Sequence, residues 1–181
     1  MNAFSLIFLL ALAAGLAIEW WLLRRQAGHV SAHADRVPDA FTDRIEPAQH
    51  RKAADYTLAQ VQASRCELGF GAVWLVLLTL GGGIALLQAL WGGLGWEPLW
   101  SGTGLVLSVF LVLGLLELPY DAWRTFGIEA RFGFNRITAG QFARDKLLGA
   151  LLALALGGPL VAAVLWVMPA VDELQIKSGD D

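Results

Sequence analysis

Apolar residues fall into four long runs, roughly 3–23, 68–90, 103–123 and 147–168, separated by segments of a different character. Each run holds about the 20 residues needed to cross a hydrocarbon core. Lipid offers no partner to bare backbone, so runs of this length satisfy their own hydrogen bonds as helices, whereas strands would show about 10 alternating residues each. The pattern predicts an all-α fold, a polytopic transmembrane bundle, with 1–181 as a single membrane domain. Gly149, Ala153 and Gly157 recur every four residues in the fourth run, a smooth stripe for close helix packing, and Ala11, Gly15 and Glu19 share one face of the first. In so Ala- and Gly-rich a chain, chance register is the other reading of these stripes.

The segments between the runs have patterns of their own. Val37-Pro38-Asp39-Ala40-Phe41 predicts an extended or turn segment, because the residue before a proline avoids the helical region. From Pro47 to Arg65 there is no Gly and no further Pro, and Ala, Gln, Arg and Leu favour helix. This polar helix is expected to run straight into the second span. The segment 91–100 is glycine-rich with three tryptophans, which predicts a tight turn anchored at headgroup level. Its glycines precede no Lys-Ser or Lys-Thr, so it is not a phosphate-binding loop.

Composition strengthens the membrane reading, since 16% charged and 56% hydrophobic residues lie far from the usual soluble balance of about 25% charged. The net charge of −3 hides an uneven distribution: seven Lys or Arg stand in 24–67 and five in 119–146, against none in 91–102. By the positive-inside rule, the segments 24–67 and 124–146 are cytoplasmic loops and both termini face outward, including the acidic tail 169–181. Basic residues are interleaved with Asp and Glu, so no nucleic-acid partner is indicated. The first run lacks a basic leader and is followed by Arg24 and Arg25, which argues against a cleaved signal peptide. A single cysteine, Cys66, excludes an intramolecular disulfide.

Few residues offer chemistry of their own. Glu19 lies near a span end, where pairing with Arg24 is favoured. Glu117 precedes Pro119, Tyr120 and Asp121, so a bent helix end lining a polar cavity and an interfacial position are both open. Glu117, Tyr120, Arg124, Arg131 and Arg136 are the candidate cavity-lining residues. His29-Val30-Ser31-Ala32-His33 has the spacing of a zincin helix, but Val30 stands where the general base must be Glu. No metal site is therefore assigned to it, and His50 is expected to be solvated.

Between the third and fourth runs stands Phe126-Gly127-Ile128-Glu129-Ala130-Arg131-Phe132-Gly133-Phe134-Asn135-Arg136-Ile137-Thr138. On its residues alone this is a juxtamembrane segment whose cations sit near anionic lipid and whose aromatics anchor it. Glu129 can pair with Arg131 or Arg136, Gly133 permits a positive-φ turn, and Asn135 can cap the next helix. The stretch also resembles the Phe-x-Ile-Glu-x-x-x-Gly-Phe-Asn-x-x-Thr signature in the N-terminal membrane region of CAAX prenyl protease 1, an integral-membrane zinc metallopeptidase family. Phe126, Ile128, Glu129, Gly133, Phe134, Asn135 and Thr138 carry the resemblance, and the segment Val37 to Gly69, with Ala53-Ala54-Asp55-Tyr56, also looks like the pre-helix region in bacterial members.

The resemblance implies a seven-span protease in which zinc lowers the pKa of bound water and a motif Glu takes its proton. It places the signature region near the zinc site and the edge where substrate arrives. No His-Glu-x-x-His occurs in these 181 residues, so no catalytic residue is assigned, and the chain is expected to be inactive alone. Zinc is expected only in an intact member, with the catalytic part beyond Asp181. The expected partners are the bilayer, that C-terminal catalytic part or a full-length protease, and a peptide substrate. The expected location is a bacterial inner membrane. The alternative is a non-catalytic four-span protein that assembles with or regulates a membrane protein, pairing through the Gly149, Ala153 and Gly157 stripe. A transporter would show broken helices in a duplicated half, which are not found.

Overall fold

The structure, a computed structural model, describes residues 3–37 and 45–178, with side chains to Met168. The expected turn at Val37-Pro38-Asp39-Ala40-Phe41 and the side chains of the tail lie outside the described residues. In chain order the helices are α1 (Ala3–His33), α2 (Pro47–Thr79), α3 (Gly83–Gly93), α4 (Pro98–Trp123), α5 (Ala130–Phe132) and α6 (Ala139–Ser178), with a π-helical segment, Arg124–Glu129, between α4 and α5. Strands are absent among the described residues, and four helices are long and apolar enough to cross a membrane. Large apolar side chains point outward along them, as at Phe4, Leu10, Phe110, Leu156 and Trp166. Such faces suit lipid and would be a liability in water.

The chain divides into two compact units. One comprises Met1–Gly81 with Pro119–Arg136, and the other Gly82–Leu118 with Ile137–Asp181. In the first, α1 and α2 form an antiparallel hairpin. Residues near the end of α1 meet the start of α2: His50 donates from Nε2 to the carbonyl of His33 at 3.0 Å, and Arg51 pairs with Asp35. Further along, the Arg65 guanidinium lies over the Trp20 ring at 5.6 Å. His50, expected to be solvated, also takes part in the hairpin closure through this exposed hydrogen bond. The buried side chains of this unit are small or branched, namely Ala34, Ala54, Val61, Ala63 and Ile128. Small side chains let backbones approach where larger ones would hold them apart.

The second apolar run does not form one helix. α2 begins at Pro47 as expected and continues without interruption to Thr79, then breaks before α3. Gly82 has φ of +82°, a conformation costly for any residue with a Cβ, and a Cβ on Gly81 would lie 2.5 Å from the Leu77 carbonyl oxygen. Two adjacent glycines therefore end one helix and start the next. α3, at 11 residues, is too short to span a membrane on its own, since it rises only about 16 Å.

In the second unit, glycines meet large side chains. A Cβ on Gly104 would fall 2.5 Å from ring atoms of Trp91, whose indole N–H donates to Ser108 Oγ at 3.0 Å. Trp91 packs against α4, while Trp96 and Trp100 are exposed. Leu107 sits 3.8 Å from where Cβ atoms on Gly157 and Gly158 would be. Gly149 has open space around it and Ala153 is exposed, so within this unit the close approach is at the Gly157 end of the stripe.

Candidate substrate-edge site

The signature is shaped by its own backbone before anything packs on it. α4 continues through Pro119 to Trp123, and the next six residues widen into the π-helical segment. Local π-helix is uncommon and concentrates at functional positions. The segment expected as a loop is thus helical as far as Phe132. Gly133, at φ of +80°, ends it in a left-handed turn, and the amides of Phe134 and Asn135 both donate to the carbonyl of Glu129, at 2.9 and 3.2 Å. The chain then extends to Thr138, which opens α6 with a capping box: its N–H donates to Gln141 Oε1 at 2.8 Å, and Gln141 N–H donates to Thr138 Oγ1 at 3.3 Å. Thr138 is thus the residue that caps α6.

Within the first unit this turn is held against the polar half of α2. Tyr56 packs between Phe132 and Phe134, with ring centroids at 5.3 and 4.6 Å, and its hydroxyl accepts from Gln60. Edge-on and tilted pairs at such distances are the favourable ones for aromatic rings. Lys52 Nζ lies 5.9 Å from the Phe134 ring centroid, within cation–π range. One turn further, Ile128 is buried and joins Gln60, Ala63, Ser64, Tyr120 and Arg124 in lining a small polar cleft. The Tyr120 hydroxyl donates to Glu67 Oε2 at 3.0 Å, and Arg124 Nε faces Glu129 Oε1 at 3.7 Å. Glu129 thus has Arg124 as its ion-pair partner, in place of the expected Arg131 or Arg136, because the π-helical segment brings position 124 alongside position 129.

Of the candidate cavity-lining residues, Tyr120 and Arg124 line the cleft, whereas Glu117, Arg131 and Arg136 are exposed and do not. Lys52, Gln60 and Glu67 were not singled out by the sequence. Their signal was present: 52, 56, 60, 63 and 67 follow helical spacing and mark one face of α2. The cleft offers a guanidinium, two hydroxyls and an amide, a set suited to holding polar groups. Zinc, implied by the resemblance, finds no seat among the described residues, where no group of three or more His, Cys, Asp or Glu is placed to hold a metal. His33 Nδ1 is engaged with the carbonyl of His29 at 2.8 Å, and two imidazoles fall short of the three protein ligands such a site takes.

These features define a multi-pass helical membrane protein with an aromatic turn clamped at the end of a span. The family model for the CAAX prenyl protease N-terminal region, five membrane helices, matches residues 26–176, and the chain belongs to that family. Among the described residues, four candidate spans and the short apolar α3 make five apolar helices. Among curated relatives, the CAAX prenyl protease 1 homolog of Caenorhabditis elegans is 26% identical over 91% of this chain and 37% of its own length. The Arabidopsis thaliana homolog of the same name is 41% identical over a shorter stretch, 30% of this chain and 13% of its own length. The chain spans well under half of the relatives it matches. Among solved structures, S. mikatae Ste24p superposes with a TM-score of 0.84 at 20% identity, over 94% of this chain and 40% of Ste24p, a likeness of fold. These relatives are eukaryotic, and they lend no support to the expected bacterial inner membrane.

Proposed function

We propose that this chain is the membrane scaffold of a CAAX prenyl protease 1-like zinc metalloendopeptidase, walling the intramembrane chamber in which peptides are cleaved. The observation that carries the reading is the seating of Phe132 and Phe134 on Tyr56, because it joins the two stretches of sequence that resemble the family into one packed element. A turn fixed in that way, beside a polar cleft, is suited to guide an extended peptide at the chamber's edge. The zinc ligands and general base come from a catalytic part outside these residues or from a full-length partner. Both basic segments face the cytoplasm in this reading, following their charge.

The purified chain is expected to bind no stoichiometric zinc and to cleave no peptide, and co-expression with a relative's catalytic part is expected to restore chelator-sensitive cleavage. Proteolysis by the chain alone, abolished by a chelator, would overturn the reading. Cysteine labelling from either side of the membrane, with Arg144→Cys in a Cys66→Ser background, checks the orientation.

A further inference from the structure

The chain passes between its two units three times, and each passage falls where regular backbone is interrupted. The first, between Gly81 and Gly82, is the break between α2 and α3. There the amides of Leu80 and Gly81 both end on the Val76 carbonyl, at 2.8 and 2.9 Å, while Leu86 donates to Gly82 at 2.9 Å, so each helix closes on itself. The second, between Leu118 and Pro119, lies inside α4 at its internal proline. Pro119 has no N–H to give the Leu115 carbonyl, and its ring crowds that same group. The third, between Arg136 and Ile137, lies in the non-helical stretch 134–138 that leads from the left-handed Gly133 to α6. Proline and adjacent small residues are common causes of bends in helices.

At each passage the chain also changes what it is fastened to. Before Pro119, α4 holds Trp91 through Gly104 and Ser108 and reaches Gly157 through Leu107. After it, Tyr120 donates to Glu67, and Arg124 and Ile128 line the cleft with residues of α2. Likewise α2 carries Tyr56 against the signature rings, whereas α3 is tied to α4 by Trp91. Phe134 rests on Tyr56, whereas α6 beyond Ile137 meets Leu107. A few residues at element ends or at a weak point of a helix, with well-fastened segments on either side, are what a hinge needs. We propose that Gly81–Gly82, Leu118–Pro119 and Arg136–Ile137 together form a three-point hinge on which the two units move as separate bodies. The motion belongs to the fold and needs neither zinc nor substrate.

Spin-label distance measurements on the full chain in lipid nanodiscs, in a Cys66→Ser background, test this. The pair Leu10→Cys/Gln62→Cys reports on the first unit, Leu94→Cys/Arg144→Cys on the second, and Gln62→Cys/Arg144→Cys across the passages, all at exposed positions. The distance distribution of the third pair is expected to be about twice as broad as those of the other two, as hinge motion of rigid bodies would give. Pro119→Ala restores the amide donor and removes the ring, and is expected to narrow the third distribution while leaving the other two unchanged. Leu118→Ala, which keeps the proline, is expected to leave all three as they are. Equal breadth for the three pairs in the chain that keeps Pro119 would overturn the proposal, and that comparison stands by itself if the alanine variant does not fold. A third distribution unmoved by Pro119→Ala, or narrowed as much by Leu118→Ala, would overturn it as well.

Discussion

The two units of this chain are held together in contrasting ways. In the unit formed by α1, α2 and the signature turn, specificity comes from polar and aromatic side chains that meet across long stretches of sequence: Tyr56 with Phe134, Tyr120 with Glu67, His50 with His33. In the unit formed by α3, α4 and α6, it comes from the absence of side chains, with glycines receiving Trp91 and Leu107. The difference reflects surroundings. Within lipid there is no hydrophobic gain from pairing apolar faces, so close van der Waals fit at small residues decides packing. Where α2 is polar, named hydrogen bonds and ring contacts fix the geometry instead.

The sharpest break in this contrast is expected at Gly104. Gly104→Val drives methyl groups into the Trp91 ring, which is tethered to Ser108, and is expected to cost about 3 kcal/mol, the upper end for overpacking. Loss of the folded fraction in mixed-micelle denaturation would report it. In the other unit, Ile128→Ala empties a buried position beside the cleft and is expected to cost about 2 kcal/mol, measured the same way. Tyr120→Phe removes one hydrogen bond to Glu67 and is expected to cost about 1 kcal/mol, with little change in helicity by circular dichroism. Gly149→Ala, with open space around it, is expected to stay within about 0.5 kcal/mol. A large effect at Gly149 on association, with none on folding of the single chain, would instead favour the assembly-partner reading of the stripe.

Much of the fold was legible because lipid allows so few solutions. The long apolar runs gave the helical class, and the Gly-free, Pro-free stretch after Pro47 gave a polar helix continuing into a span. The break at Gly81 and Gly82 was hidden by apolar residues on both sides, since hydropathy registers burial in lipid and not backbone direction. The signature's identity was readable residue by residue, and Gly133 takes the left-handed turn its type allows. Its partners were not, because the π-helical segment shifts the facing of Arg124, Ile128 and Glu129, and because Tyr56 lies far away in sequence. Thr138 with Gln141, at capping-box spacing, was the available clue to where α6 begins.

The claim that α2 holds the signature turn is tested most directly by a double-mutant cycle on Tyr56→Leu and Phe134→Leu, read by unfolding of the full chain in mixed micelles. The packing predicts a coupling energy of about 0.5–1.5 kcal/mol between the two positions, as for aromatic pairs in contact. Strict additivity, with each substitution indifferent to the other, would contradict it and detach the signature from α2.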